Sequence, residues 1–255
     1  MDVNVLGCSG GIGGLARTTA LRVDSDILID CGTGVGELPL DELMQIDHVF
    51  LTHSHLDHIC LLPLLIDTVC DLRGRALTVY ALEETLQILR EHVFNWLVWP
   101  DFGAIPDRAN PLLLMRPVRV GETVSLGERR IQVLPAEHTV PAVGYCVTGS
   151  HGGQLAFTGD TGMCEALVEA LNALPELRYL LIETAVPNRY QALALAARHL
   201  CPNLLHALLE RLNVTPEVYV THLKPGYADQ TLRETLACAG RLQPRVLANG
   251  MRFTL

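Results

Sequence analysis

Three histidines and an aspartate lie within six residues, in the segment His-Ser-His-Leu-Asp-His at 53–58. Folding rarely requires so many polar side chains in so short a segment, whereas imidazole and carboxylate groups at this spacing suit a metal site. In an extended chain, residues two apart point the same way, so His53 and His55 can bind one ion together. Asp57 and His58 follow a turn and are expected to face a second ion. The alternative is a polar turn whose histidines cap a helix.

Apolar runs on either side of this segment predict the elements that hold it. Residues 47–51 are typical of a short buried strand, and residues 59–65 of the start of an apolar helix. In α/β proteins, ligands bind where strands end. The segment is therefore predicted to lie at such a strand end. Asp30, after another apolar run, is expected to orient a metal-bound histidine rather than to bind a metal.

Three further candidate ligands each follow an apolar run that is typical of a strand. They are His138 after residues 131–134, Asp160 after residues 155–159, and His222 after residues 218–221. Singly, each has an ordinary explanation, because lone histidines are commonly core or solvated residues and an aspartate before Thr-Gly is common in turns. Together with the first segment, their order and their positions at strand ends supply the ligands that a dinuclear site needs.

This order of motifs resembles the metallo-β-lactamase superfamily, which has H-x-H-x-D-H, a distant His, a strand ending in Gly-Asp, and a last His. The resemblance covers nearly the whole chain and implies the metallo-β-lactamase fold, an αββα four-layer sandwich of the α/β (α+β) class. It also implies two metal ions bridged by Asp160. The implied ligands are His53, His55 and His138 on one ion, and Asp57, His58 and His222 on the other. True β-lactamases usually have a Cys ligand near the Gly-Asp position, so β-lactam hydrolysis is not expected here.

Shorter segments indicate a branch of the superfamily. His-Leu-Asp-His before an apolar helix is similar to class II cyclic-nucleotide phosphodiesterases, as are residues 182–185, 199–202 and 221–224. The placement of Glu183 and His199 also resembles ribonuclease Z, where a Glu and a later His form a catalytic pair. The resemblance implies a phosphodiesterase that converts 3′,5′-cyclic nucleotides such as cAMP to 5′-monophosphates. An RNA 3′-end processing endonuclease is the alternative, and a metal-binding scaffold without activity is a third, weaker interpretation.

The expected mechanism uses two divalent ions to hold a shared water as hydroxide, which attacks phosphorus in line. The imidazole-rich ligand set favours Zn²⁺, with Mn²⁺ as the alternative. The leaving 3′ alkoxide needs a proton, and His199, on a predicted helix and held by Glu183, is the candidate general acid. The candidate catalytic residues are therefore Asp57, Glu183 and His199. Lys224 could meet the substrate phosphate or could lie in solvent.

Composition predicts one domain over residues 1–255, because 49% of the residues are hydrophobic and no linker or repeat is evident. No signal peptide or transmembrane segment is recognisable, and the eight cysteines, without close pairs, are expected to be reduced, so a cytoplasmic location is predicted. The formal charge of −9 opposes binding of long nucleic acids, whose affinity comes mainly from Lys and Arg. Metal ions would make the pocket locally positive, so a small cyclic nucleotide is the expected partner.

Two other segments have competing interpretations. Residues 94–102 contain both tryptophans and two of the five phenylalanines, which favours core or dimer-contact packing, and a homodimer is expected. The alternative is a wall on which a nucleobase stacks. The glycine-rich residues 7–14 lack the Gly-Lys-Ser/Thr and the following helix of a phosphate-binding loop. They are predicted to connect two strands of a hairpin at the rim of the site.

Overall fold

The computed structural model describes residues 1–238 and 240–255, and two seven-stranded sheets form within them. The strands, numbered in chain order, are β1 (Asp2–Gly7), β2 (Ala20–Val23), β3 (Ile27–Ile29), β4 (His48–Phe50), β5 (Leu77–Ala81), β6 (Leu113–Pro117), β7 (Thr123–Leu126), β8 (Arg129–Pro135), β9 (Val143–Thr148), β10 (Gln154–Phe157), β11 (Leu177–Glu183), β12 (Glu217–Thr221), β13 (Arg245–Val246) and β14 (Arg252–Thr254). The first sheet has the order β14-β1-β2-β3-β4-β5-β6, and the second has the order β13-β12-β11-β10-β9-β8-β7.

Helices cover the outer faces of both sheets. They are α1 (Leu40–Leu43), α2 (Leu56–Ile59), α3 (Leu62–Val69), α4 (Glu83–His92), α5 (Glu165–Asn172), α6 (Gln191–Ala196), α7 (Pro202–Leu209) and α8 (Ala228–Ala237), with short 3-10 helices at Thr33–Glu37, Cys70–Leu72 and Asn188–Tyr190. In α3, the buried residues recur at helical spacing, and they pack in the outer core of the first sheet. Helices α5 and α7 pack in the same way on the second sheet. The predicted αββα sandwich is therefore confirmed.

The two inner faces meet in a core of aliphatic and aromatic side chains. Strand β1 shows the expected alternation, with Val3 and Val5 pointing into this core. Phe50 of β4 stacks on Tyr80 of β5 with ring centroids 4.5 Å apart, and Tyr145 of the second sheet meets Phe50 edge-on at 5.5 Å. Full burial of a side chain such as Phe50 stabilises the fold by about 1.5–3 kcal/mol.

The second sheet also fixes the chain just after β4, where the histidine-rich segment begins. The hydroxyl of the buried Tyr145 donates to the Leu51 carbonyl at 2.7 Å, and the backbone N–H of Val143 donates to the Thr52 carbonyl at 3.0 Å. These two hydrogen bonds join the sheets at the strand end itself. The position of the segment is therefore set by both sheets, although its residues belong to the first.

The aromatic segment at 94–102 lies away from that edge. Phe94 and Phe102 are buried beneath the first sheet, whereas Trp96 between them is 63% exposed, so core packing holds only for the ends of the segment. The Phe102 carbonyl accepts from the Leu112 N–H, and the Leu112 carbonyl accepts from the Leu77 N–H at the start of β5. Strands β4 and β5 are parallel, so the start of β5 lies at the opposite end of the sheet from the histidine-rich segment. A base-stacking wall at the candidate site is therefore not supported. No helix in the described residues is long and apolar enough to cross a membrane.

Candidate active site

Carboxyl ends of strands from both sheets bring the predicted ligands together. Strands β10, β11 and β12 run parallel, so the residues that follow them meet at one edge. The candidate ligand atoms form two separate groups and a third that overlaps both, and within each group they lie within 4.8 Å of one another. The first group is His53, His55, His138 and Asp160, the second is Asp57, His58 and His222, and the overlapping third is Asp160, His199 and His222.

Asp160 lies between the two groups and presents a different oxygen to each. Its Oδ2 is 3.8 Å from His53 Nε2 and 4.0 Å from His138 Nε2. Its Oδ1 is 3.4 Å from His58 Nε2 and 3.2 Å from His222 Nδ1. A carboxylate with this arrangement can bridge two cations, with each oxygen facing one of them. Asp57 completes the second group, with Oδ2 3.9 Å from both His58 Nε2 and His222 Nε2.

Hydrogen bonds on the far side of the rings set their orientation. His58 Nδ1 donates to Asp30 Oδ2 at 2.7 Å, and His53 Nδ1 donates to the Thr52 hydroxyl at 2.9 Å. That hydroxyl in turn donates to Asp30 Oδ2 at 2.9 Å. His138 Nδ1 donates to the backbone carbonyl of Arg198 at 3.0 Å. With Nδ1 occupied in this way, each ring turns the lone pair of Nε2 toward the cluster, which is how metal-binding histidines are held.

Buried nitrogens without a partner show that this cluster fits a metal. In the described part of the chain, His53 Nε2, His58 Nε2 and His222 Nδ1 are fully buried and make no hydrogen bond. An unsatisfied buried polar atom costs roughly 1–3 kcal/mol, so three of them facing one carboxylate require an explanation. Imidazole and carboxylate donors together suit first-row divalent ions such as Zn²⁺ or Mn²⁺. The histidine and aspartate side chains of the cluster are therefore suited to binding divalent metal ions.

The protonation states of the candidate ligands, except that of His58, agree with such a site. Burial lowers the pKa of His53 well below its usual range and lowers that of His222 to about 3, so both rings are neutral and able to bind a cation. Burial alone would raise the pKa of Asp160, but the surrounding histidines His222 and His58 hold it well below its usual value. His58 is the exception, because the carboxylates of Asp160 and Asp30 outweigh its burial and raise its pKa.

A second functional pair lies beside the cluster. Glu183 is fully buried, and its Oε1 accepts from His199 Nδ1 at 2.6 Å and from the Thr161 backbone N–H at 2.9 Å. Burial would lower the pKa of His199, but the Glu183 carboxylate outweighs it and raises that pKa. The His199 ring lies 4.9 Å from the His138 ring and stacks on the His222 ring at 5.3 Å, centroid to centroid. A ring with one nitrogen held by a carboxylate can give or take a proton at the other.

The prediction that His199 lies on a helix is wrong. Helix α6 ends at Ala196 and α7 begins at Pro202, so His199 occupies the turn between them. The turn is fixed by Arg198, whose φ of +51° breaks the helix, and by the Leu200 backbone N–H, which donates to Glu183 Oε2 at 3.2 Å. Glu183 therefore shapes the backbone that carries His199 as well as holding its ring.

The glycine-rich loop connects β1 to β2, as predicted, and closes over the cluster. His222 adopts a left-handed backbone, with φ of +61°, directly after β12. Gly10 packs against it so closely that a Cβ at this position would lie 2.5 Å from the His222 carbonyl oxygen. Only glycine fits this approach. Sequence reasoning missed this contact, as it missed the Thr52 hydroxyl, although Thr52 stands directly before the histidine-rich segment.

An apolar cleft opens beside the cluster, between the glycine-rich loop and α2. Its volume is about 470 Å³, within the range of small-molecule sites. Ile12 and Leu56 on its two sides are each 73% exposed, so the cleft presents large aliphatic side chains to solvent. The cleft is lined by residues 10–12, Thr18, Thr33, Leu56, Asp57 and Cys60. Because Asp57 belongs to both, the cleft is continuous with the candidate metal centre.

Comparison with known proteins agrees with this architecture. Residues 25–223 match the model of the β-lactamase superfamily domain, and the chain therefore belongs to that superfamily. A probable 3′,5′-cyclic-nucleotide phosphodiesterase from Yersinia pestis is 27% identical over 207 residues, which are 72% of this chain and 58% of that protein. A ribonuclease Z from Methanopyrus kandleri is 32% identical over 126 residues, which are 47% of this chain and 38% of that protein.

A solved structure extends the likeness to the whole chain. Unliganded yeast PDE1 superposes with a TM-score of 0.83 at 20% identity, and the match covers 100% of this chain and 99% of the yeast chain. This likeness shows a shared fold. The two relatives described by sequence are matched over only 58% and 38% of their own lengths.

Proposed function

We propose that this protein is a metal-dependent phosphodiesterase that hydrolyses 3′,5′-cyclic nucleotides to 5′-monophosphates. The observation that carries the proposal is the position of the Glu183–His199 pair against a cluster in which Asp160 faces two sets of histidines. A divalent site beside a histidine held by a carboxylate combines an electrophile with a proton donor, as phosphodiester hydrolysis requires. The similarity to the probable phosphodiesterase of Yersinia pestis supports the same substrate class.

The metal ligands in this proposal are those of the two groups. One ion would be held by His53, His55 and His138, a second by Asp57, His58 and His222, and Asp160 would bridge them. Bound divalent ions supply a water activated at neutral pH and neutralise the charge that develops on the phosphate oxygens. We propose Zn²⁺ as the resident ion, with Mn²⁺ as the alternative, because the set is rich in imidazole.

The protein's own residues supply the proton for the leaving group and determine which nitrogen donates it. Glu183 accepts from His199 Nδ1 and so leaves Nε2 as the nitrogen that can protonate a leaving oxygen. An unactivated alkoxide is a poor leaving group, and help of this kind is typically worth about 10²–10⁴-fold. If the 3′ oxygen leaves beside His199, the product is the 5′-monophosphate. Asp57 lines both the cluster and the apolar cleft, so a phosphate bound at the cluster would lie beside the space in which a base can bind.

Size and charge support a small substrate. The cleft beside Asp57 has room for a nucleobase, and its aliphatic walls would bury one without requiring particular hydrogen bonds. The formal charge of −9 disfavours a long polyanion, which binds by releasing counterions to Lys and Arg side chains. A cyclic nucleotide carries a single negative charge, so the repulsion that it meets is small.

A ribonuclease Z-like RNA 3′-end endonuclease is the second candidate. The similarity to ribonuclease Z of Methanopyrus kandleri favours it, at 32% identity over 126 residues. Both candidates use the same cluster and the same His199, so only the substrate separates them.

The test is a panel of purine and pyrimidine 3′,5′-cyclic nucleotides, model diesters and precursor tRNA, assayed with the metal-loaded protein at several salt concentrations. We expect kcat/KM to be highest for a cyclic nucleotide, with a 5′-monophosphate as product, and any RNA binding to be weak and steeply salt-sensitive. A higher kcat/KM for precursor tRNA than for every cyclic nucleotide at equal salt would replace this proposal with the nuclease.

A further inference from the structure

Lys224 is the only lysine among the 19 Lys and Arg residues of the chain, and it lies at the candidate metal centre. Its Nζ is 3.2 Å from His222 Nε2 and 4.0 Å from Asp57 Oδ2, and its side chain is 36% exposed. The ammonium therefore reaches the cluster while remaining open to solvent. All the other Lys and Arg residues of the chain are arginines. A lysine ammonium is more compact than an arginine guanidinium and sits on a flexible stem, so its location beside the cluster suggests a specific role.

The backbone holds Lys224 in this position. Its N–H donates to the Ala185 carbonyl at 3.0 Å, and its carbonyl accepts from the Tyr227 N–H at 2.9 Å. The preceding residue, Leu223, accepts from the Gly10 N–H at 3.1 Å. Two distant segments and one hydrogen bond within the turn thus fix the chain that follows β12, and the Lys224 side chain begins from a fixed point beside the cluster.

Three nearby arginines already have other partners. Arg17 forms an ion pair with Glu37 at 2.5 Å, and Arg198 donates to the His138 carbonyl at 2.9 Å. Arg189 lies over the rings of two tyrosines, at 4.9 and 5.5 Å from their centroids. Lys224 is therefore the cation best placed to meet a ligand at the cluster, where its acidic neighbour is Asp57.

Asp57 cannot fully neutralise the charge of Lys224 if its carboxylate also binds a metal ion. In the proposed site its carboxylate is shared with a divalent ion, and the ammonium is then next to a like charge. Two neighbouring cations are stabilised by an anion that contacts both. The substrate of the proposed reaction, a phosphodiester, is such an anion.

We propose, on the basis of the function proposed above, that Lys224 binds a non-bridging oxygen of the substrate phosphodiester. Lys224 contacts one nitrogen of His222, and His199 stacks on the same ring. An anion held by Lys224 at the cluster is thereby kept close to the proton donor, with its base free to enter the apolar cleft. Lys224 is in this view a substrate-binding residue that positions the phosphorus.

Because the chain has one lysine, amine chemistry can test the contact directly. The metal-loaded protein is acetylated with a small excess of reagent, and the modification of Lys224 and of the Met1 α-amine is followed by mass spectrometry. Met1 lies against Leu255 at the other end of β1, so its amine is an internal control. At about ten times the Kd of a non-hydrolysable 3′,5′-cyclic phosphorothioate, we expect roughly tenfold protection of Lys224 and none of Met1.

Two variants and a matched control give a second readout. Lys224→Met should raise KM for cyclic nucleotides by roughly 10- to 100-fold, the loss expected for one hydrogen bond to a charged group, with a smaller change in kcat. Lys224→Arg keeps the charge and should recover part of the loss. Arg245→Met removes the same charge at the far end of β12, where Arg245 pairs with Glu217 at 2.5 Å, and should leave KM unchanged.

The outcomes separate this inference from the proposed function. A wild-type protein that hydrolyses cyclic nucleotides, together with an unprotected Lys224 and an unchanged KM in Lys224→Met, overturns the inference alone. A wild-type protein that hydrolyses no cyclic nucleotide overturns the proposed function. Labelling in the presence of inorganic phosphate then still decides whether Lys224 binds a phosphate-type anion, because it requires no turnover.

Discussion

The buried carboxylate of Asp30 orients His58 directly, through a hydrogen bond of 2.7 Å from His58 Nδ1 to Asp30 Oδ2. The same carboxylate accepts from the Thr52 backbone N–H at 2.8 Å and from its hydroxyl, which in turn holds His53. One side chain therefore positions a candidate ligand from each of the two groups. The left-handed backbone at Asp30, with φ of +60°, directs its carboxylate beneath both rings.

We expect Asp30→Asn to weaken metal binding by roughly 10- to 100-fold, as loss of such supporting hydrogen bonds typically does. Asparagine keeps the shape and tolerates the left-handed backbone, but its neutral amide no longer fixes the protonated nitrogen of His58. Competition with a chromophoric chelator measures the affinity. Asp24→Asn is the matched control, because Asp24 is also left-handed, with φ of +48°, but lies in the β2–β3 turn. Equal affinity in both variants would contradict the role of Asp30.

Removing Asp160 should disrupt both proposed ions at once. Elemental analysis of the metal-loaded protein is expected to find close to two divalent ions per chain. Asp160→Ala should retain at most one, with the largest loss of activity among the ligand variants, because each oxygen of this carboxylate faces a different set of histidines. Two bound ions and full activity in this variant would be incompatible with a bridging role.

His199 is predicted to act in proton transfer without binding metal. His199→Ala should keep its metal content and lose roughly 10²–10⁴-fold in kcat on cyclic nucleotides. Hydrolysis of a p-nitrophenyl diester should decline less, since that leaving group needs little protonation. His151→Ala, in an exposed loop, is the matched control and should behave as wild type. Equal losses on both substrates, or loss of metal, would argue against a general acid.

The sequence predicted the candidate metal ligands, because each one lies at a recognisable position relative to an apolar run in the chain. Each candidate ligand follows an apolar run, and these runs form parts of strands β4, β8, β10 and β12. The strand ends could therefore be located before the sheets were known. The fold could be predicted in the same way, because the order of the motifs along the chain matches the order of the strands in the two sheets.

The rest depends on contacts between distant segments. Alanine and leucine spacing at 190–212 is typical of a continuous helix, whereas the left-handed backbone of Arg198 and the hydrogen bonds that buried Glu183 accepts from His199 and Leu200 interrupt it. The approach of Gly10 to His222 joins residues more than 200 positions apart. The homodimer, the cytoplasmic location and the single domain over residues 1–255 stay predictions.

An ion pair between Asp26 and Arg129 should make stability depend on pH. Burial would raise the pKa of Asp26, but hydrogen bonds from Arg129, one of them 2.8 Å long, lower it below its usual value. A lowered pKa in the folded state means that the pair stabilises above the unfolded pKa of about 4, and that this stability is lost as pH falls through the folded value. Asp26→Asn should cost about 1 kcal/mol at pH 7 and little near pH 2.

Urea denaturation at several pH values measures this difference. Asp41→Asn, which removes an exposed carboxylate from α1, is the control for loss of charge alone. A destabilisation of Asp26→Asn that stayed constant from pH 7 to pH 2 would show that the ion pair is not its source.

The apolar cleft beside Asp57 leads to a prediction about substrate size. Leu56 is 73% exposed in the cleft wall, and a nucleobase packed there would cover part of it. Leu56→Ser should therefore raise KM for cyclic nucleotides by roughly five- to twentyfold, which corresponds to about 1–2 kcal/mol of lost apolar contact. Leu97→Ser removes an equally large exposed side chain, 90% exposed in the distant aromatic segment, and should have no effect. Hydrolysis of methyl p-nitrophenyl phosphate, which has no base, should be the same in both variants. If Leu56→Ser instead left KM for every cyclic nucleotide unchanged, the base would have to bind on another side of the metal centre.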